Sequence, residues 1–264
     1  MNSFQQKYIQ KQTENRIITS EKVSFRAIEA YKIARTNIMF TLAGEEGCKK
    51  VVFTSALAGE GKTTSCINLA VTFAQTSAKV LVIDADLRRP KIHQYIGEKC
   101  EDGLADLLAG FVDINDVVRY SETMHFDYIS AGHIPPNPAE LLATPKISTI
   151  FEKLGQVYDY IFIDTPPVTV VTDALVLAKH TSGMIFVVKQ KETPHDALKK
   201  SMANLKFADV KILGFLMNEA EAKHYTYRNK YGYRRKYSYD YAYTYGAEGK
   251  KAKKDKAKTP DEEK

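Results

Sequence analysis

Between positions 56 and 64 the chain reads Ala56-Leu57-Ala58-Gly59-Glu60-Gly61-Lys62-Thr63-Thr64, combining glycines with a lysine and two hydroxyls. These are residues suited to holding phosphate. Glycine lets backbone N–H groups approach a ligand closely, lysine can reach the terminal phosphates, and the threonine after it can bind magnesium. The usual pattern opens on glycine where this chain has Ala56, but Gly59, Gly61 and Lys62 are in place. The competing reading is an ordinary glycine-rich turn between a strand and a helix.

Three carboxylates extend the chemistry. Asp84 and Asp86 lie in VLVIDADLRRP, and Asp164 closes the apolar run of YIFIDTPP. Taken singly, an aspartate at a strand end can be a mere cap or turn former. Together with Lys62 they form a set, because neighbouring strands of a doubly wound sheet deliver their carboxyl ends to one crevice. Acids gathered beside a triphosphate imply Mg2+.

These residues need a strand before the loop and a helix after it. VVFTSA (51–56) reads as the strand, 63–76 as the helix, and KVLVID (79–84) as a second strand. Further strands are expected at 126–130, 158–164, 183–189 and 210–218. Helices are expected near 103–110, 138–144, 146–156, 173–179 and 194–207. An earlier helix spans 24–42, where Phe25, Ile28, Tyr31, Ala34, Ile38 and Leu42 recur at helical spacing. Runs such as VLVI, YIFI and MIFVV do not alternate, which suits strands covered on both faces. The fold expected is α/β, a three-layer P-loop NTPase fold with a mostly parallel central sheet. Its domain covers 23–222, after an N-terminal arm at 1–22, and is followed by a tyrosine cluster at 223–246 and a charged disordered tail at 247–264.

Composition agrees with a folded domain: of 264 residues, 44% are apolar and 27% charged. The longest stretch without Asp, Glu, Lys or Arg runs from Thr63 to Ala78, shorter and more polar than the roughly 20 apolar residues of a membrane helix. The polar N-terminus lacks the apolar core of a secretion signal, so a cytoplasmic protein is expected. Cys48, Cys66 and Cys100 are far apart and form neither a disulfide framework nor a zinc-ligand spacing. The net charge of +6 comes from residues 224–264, with 12 basic and 6 acidic groups; the rest of the chain is balanced.

The motifs resemble those of the bacterial tyrosine kinases (BY-kinases) of capsular and exopolysaccharide biosynthesis, in their cytoplasmic split form. The resemblance is carried by EAYKIARTNIMF (29–40), SALAGEGKTT (55–64), VLVIDADLRRP (80–90), GLADLLAG (103–110), IPPNPAELL (134–142), YDYIFIDTPPV (158–168) and the terminal tyrosines. It implies ATP and Mg2+ as cofactors. Ala58, Gly59, Glu60, Gly61, Lys62, Thr63 and Thr64 would bind phosphates, and Asn218 the adenine. Thr63, Asp84 and Asp164 would hold the metal, Asp164 through water. Lys62, Asp84 and Asp86 would be catalytic, with either Asp84 or Asp86 accepting the phenol proton. Glu29, Lys32 and Arg35 are similar to the family's oligomerisation motif, which normally has arginine where Lys32 stands. The chromosome-partitioning and division-site ATPases share the fold, but they carry a signature lysine at the position of Leu57.

Tyr225, Tyr227, Tyr231, Tyr233, Tyr237, Tyr239, Tyr241, Tyr243 and Tyr245 put nine of sixteen tyrosines into twenty-one residues. Four readings compete: an aromatic strand, stacking on single-stranded nucleic acid, attraction to an anionic membrane, or phosphoacceptance. A kinase candidate in the same chain favours the last, and no nucleic-acid partner is expected. The resemblance further implies a membrane activator or polysaccharide co-polymerase that recruits the kinase to the inner face of the membrane. It also implies a cognate phosphatase and a homo-oligomeric ring.

Overall fold

The computed structural model describes residues 16–220, 225–228 and 234–237. Two compact units divide at residues 220 and 221.

In the first unit the elements run α1 (Phe25–Thr41), β1 (Lys49–Ser55), α2 (Lys62–Ala74), β2 (Val80–Asp84), α3 (Ile92–Ile96), α4 (Leu104–Ala109), α5 (Ile114–Val117) and β3 (Arg119–Ser121). They continue as β4 (Phe126–Ile129), α6 (Pro138–Leu142), α7 (Lys146–Gly155), β5 (Tyr160–Asp164), α8 (Asp173–Ala178), β6 (Gly183–Lys189), α9 (His195–Phe207) and β7 (Ile212–Asn218). The sheet order is β3-β4-β2-β5-β1-β6-β7. All neighbours pair in parallel except β3 with β4. Strand β3, together with α3 and α5, was not expected: three to five residues are too few to show a period.

Alternate strand residues feed two cores, which is why the apolar runs are continuous. Leu81, Ile83, Ile161 and Ile163 face one side with Leu104, Ile150, Leu177 and Leu205 from the helices. Val82, Phe53 and Phe162 face the other, with Leu42 just after α1 and Ile67 and Phe73 from α2. The Phe162 ring packs edge-on against Phe53 and Phe73 at centroid distances of 5.7 and 5.1 Å.

Two N-terminal expectations need correction. Ile17 and Ile18 are buried rather than part of a free arm, and Asn68 of α2 holds this segment: its Oδ1 accepts Ile18 N–H at 2.9 Å and its Nδ2 donates to the Arg16 carbonyl at 3.0 Å. Burying two isoleucines, each worth about 1.5–3 kcal/mol, opposes the entropy that a free arm would keep. Phe25 was expected on the buried face of α1 but is 69% exposed, while Val23 packs against the core just before the helix begins.

In the second unit, Tyr225–Arg228 (β8) and Arg234–Tyr237 (β9) pair antiparallel, with Tyr225 opposite Tyr237. The strand alternative therefore has a place at these eight residues. An isolated pair of short strands is only marginally stable in water. Among the described residues, no helix is long and apolar enough to cross a membrane.

Candidate active site

Strand β1 lies near the centre of the sheet and delivers the phosphate loop. Gly59 and Gly61 have φ of +85° and +91°, a region in which side chains with a Cβ are strained. At Gly61 space is also lacking: a Cβ would meet Asn218 Nδ2 at 2.0 Å. Helix α2 starts at Lys62 with Gly61 as its cap and no side-chain capping bond. Its first N–H groups are thus the kind left to a ligand, and they carry favourable partial charge for an anion. Lys62 is buried, Thr63 and Thr64 are half-buried, and Ala58 and Gly59 lie on the exposed part of the loop.

The register of β2 against β5 sets Asp84 opposite Asp164 at the carboxyl ends of both strands. Thr63 Oγ1 donates to Asp164 Oδ2 at 2.6 Å, tying α2 to β5. Among the described residues, Asp164 Oδ1 is buried with no hydrogen-bond partner. Burial, reinforced by the facing Asp164 carboxylate, pushes the Asp84 pKa up. Burial raises Asp164 as well, against the opposing effects of the Lys62 ammonium and the Thr63 hydroxyl. A buried oxygen without a partner and two facing acids form a donor set that fits a divalent cation.

Asp84 also shapes its surroundings. Its Oδ2 accepts the N–H groups of Lys91 and Ile92 at 2.9 and 3.0 Å, holding the start of α3. From that helix the Tyr95 hydroxyl reaches Thr64 Oγ1 at 2.7 Å. Asp86 is half-buried, and its Oδ1 accepts the Arg89 N–H at 3.0 Å in a turn. The neighbouring Arg88 donates from Nε and Nη2 to both oxygens of buried Asp173, at 3.0 and 3.2 Å.

Other expected residues are more scattered. Asn218, at the end of β7, donates from Nδ2 to the Glu60 carbonyl at 3.0 Å, so it does lie against the phosphate loop. Glu60 is 3% exposed, and its carboxylate is bound within the protein by Leu57 and Thr193. Only its backbone remains suited to the phosphate-binding part expected of it. Glu29 and Lys32 form an ion pair at 2.8 Å on α1, whereas Arg35 turns inward and donates from Nη1 to the Thr72 carbonyl at 2.6 Å. Tyr225, Tyr227 and Tyr237 lie in the short strands of the second unit. Tyr231, Tyr233, Tyr239, Tyr241, Tyr243 and Tyr245 lie outside the described residues.

Sequence reasoning missed Tyr95, Thr193, Arg88 and Asp173 as supports of this site, since each acts through a partner remote in the chain. It also missed the pairing of His133 Nδ1 with Asp106 Oδ1 at 2.9 Å. Asp106 further accepts the N–H groups of Gly103 and His133, which makes it a clasp at the start of α4.

Residues 48–212 match the AAA domain family. The tyrosine-protein kinase YwqD of Bacillus subtilis is 38% identical over 200 residues, covering 75% of this chain and 84% of the relative. The kinase domain of the Escherichia coli tyrosine kinase ETK superposes with a TM-score of 0.69 at 33% identity, covering 76% of this chain and 80% of that one. The septum site-determining protein MinD of Pyrococcus horikoshii, solved with Mg-ADP, is more distant: TM-score 0.55, 26% identity, and coverage of 66% and 72%. With the phosphate loop, the strand-end acids and these likenesses together, the chain belongs to the bacterial tyrosine-protein kinases, built on a nucleotide-binding AAA-type domain.

Proposed function

We propose that the chain transfers the γ-phosphoryl group of ATP to tyrosines of its own C-terminal cluster, in trans within a homo-oligomer. The observation that carries this reading is the grouping of half-buried Thr63, bonded to Asp164, with buried Asp164 and Asp84 facing each other at the strand ends and Lys62 beside Thr63 in the loop. Thr63 and Asp164 would hold Mg2+, with Asp84 organising the site; when bound, the ion neutralises charge on the phosphates. Lys62 steadies the terminal phosphate, and the amides at the start of α2 bind the others. A tyrosine hydroxyl attacks the γ-phosphorus, its proton passes to Asp84 or Asp86, and ADP leaves. A carboxylate with a raised pKa is the better match for such a proton. Asn218 contacts the adenine.

Twenty-one extended residues reach about 70 Å at ~3.3 Å each, enough to enter a neighbouring subunit's site. Each phosphotyrosine adds about 1.5–2 negative charges, so nine add roughly 14–18. Residues 224–245 carry five basic groups against one acid, and phosphorylation reverses that balance. The assembly then disperses by repulsion. In the cell this cycle regulates capsular or exopolysaccharide polymerisation and export, with a membrane co-polymerase recruiting and activating the kinase and a phosphatase resetting it. Glu29 and Lys32, paired on the surface of α1, contribute to the ring, while Arg35 fastens α1 to α2 through the Thr72 carbonyl.

A dilution series tests the trans step. Phosphate incorporated per molecule rises with protein concentration if subunits exchange tails; incorporation independent of concentration, even at high dilution, contradicts it.

A further inference from the structure

Glu60 sits inside a loop that must receive a triphosphate, where its charge is unfavourable, and a buried acid needs partners. Both oxygens have one. Oε2 accepts the Leu57 N–H at 2.8 Å, and Oε1 accepts the hydroxyl of Thr193, 133 residues further on between β6 and α9. Thr193 is itself fixed, because its Oγ1 accepts the Lys189 N–H at 3.0 Å and its own N–H donates to the Lys189 carbonyl at 3.1 Å. The Glu60 carbonyl meanwhile accepts Asn218 Nδ2 at 3.0 Å. One residue therefore joins the start of the phosphate loop, the end of β6 and the end of β7.

The Leu57–Glu60 bond closes the loop on itself, so its curvature does not depend on a ligand. A second consequence concerns Asn218. A carbonyl can only accept, so the amide must turn Nδ2 toward Glu60, leaving Oδ1 as the acceptor for a ligand. An acceptor reads the 6-amino group of adenine and disfavours the 6-oxo group of guanine.

We propose that Glu60 is a positioning residue for the nucleotide: its side chain, braced by Thr193, presets the phosphate loop and thereby places the Glu60 main-chain carbonyl that turns Asn218 to its adenine-reading orientation. This rests on the ATP-site reading above.

The test measures Mg-ATP and Mg-GTP affinity of the full chain with fluorescent analogues, alongside the saturated rate of tail phosphorylation. Glu60→Ala and Thr193→Val should each weaken ATP binding about tenfold, the scale of one hydrogen bond to a charged group, and narrow the ATP-over-GTP ratio. Their double variant should be no weaker than either single one, since both break the same brace. Glu60→Gln should remain near wild type, because its amide can accept from Leu57 and donate to Thr193. Wild-type affinity and base preference in Glu60→Ala, or additive losses in the double variant, would overturn the proposal. Should Glu60→Ala not fold, Thr193→Val and Thr193→Ser decide by the same criteria, loss in the first and recovery in the second. Lys62→Met separates the two levels: if it alone impairs phosphotransfer, the brace fails and the site stands, whereas wild-type phosphotransfer in Lys62→Met rejects the site itself.

Discussion

Thr63 Oγ1 lies 2.6 Å from Asp164 Oδ2, a bond between residues 101 positions apart that joins the phosphate loop to the neighbouring strand β5. It sets the hydroxyl beside a carboxylate whose other oxygen is buried without a partner among the described residues. Thr63→Val keeps the shape and removes the hydroxyl. The expected stability loss is about 1–3 kcal/mol, because a buried carboxylate loses its hydrogen-bond donor, while phosphotransfer should fall at least about a hundredfold and require more Mg2+. A magnesium titration of tail phosphorylation checks this; an unchanged Mg2+ requirement contradicts it.

The facing acids predict a pH dependence. Asp84 and Asp164 both have raised pKa values in the folded protein, chiefly through burial. The folded state therefore holds more protons than the unfolded one above the ordinary carboxylate range, near pH 4. Stability from this source is present below that range and is lost as pH rises through the folded values. Chemical denaturation of the nucleotide- and metal-free protein between pH 5 and 8, taken as approximate bounds, should show stability falling with pH, with a shallower slope in Asp164→Asn. Equal slopes in the two proteins contradict the assignment.

Arg88 pairs bidentately with fully buried Asp173 while its own backbone belongs to the turn around Asp86. Arg88→Ala leaves a buried carboxylate without this partner, at an expected cost of about 1–3 kcal/mol, moderated because Arg88 is partly exposed. Lysine cannot reproduce the fork, so Arg88→Lys should recover less than half of the loss. Thermal melts of both variants test this, and full recovery by lysine contradicts it.

Replacing the nine clustered tyrosines by phenylalanine should leave Mg-ATP binding within about twofold and remove most incorporated phosphate, since the cluster supplies the acceptors. Incorporation at the wild-type level would point to acceptors elsewhere in the chain.

The parts of this site that were legible in the sequence are those written locally. The phosphate loop occupies consecutive residues, and Asp84 and Asp164 each end an apolar run whose strand character is plain, so their convergence followed from topology alone. Supports that close over long loops left no such trace: Arg88 meets Asp173 after 85 residues, and Glu60 meets Thr193 after 133. Glu60 itself was read as a phosphate-loop residue, because spacing identifies the backbone role and says nothing of where a side chain turns. The same limit applies to Arg35, whose spacing suggested an outward motif while its guanidinium reaches the Thr72 carbonyl near the end of α2, where a cation is favourable. Ile17 and Ile18 were passed over because two apolar residues in a polar stretch set no period. Strand β3, at three residues, fell below what alternation can reveal.

The most direct test is phosphate mapping by mass spectrometry on the full chain co-expressed with its candidate membrane activator, beside a Lys62→Met control. Phosphotyrosines between 225 and 245 in the wild type and none in the control are the predicted result. An unmodified tail in the presence of a demonstrably active partner, or equal modification of the Lys62→Met chain, would contradict the account.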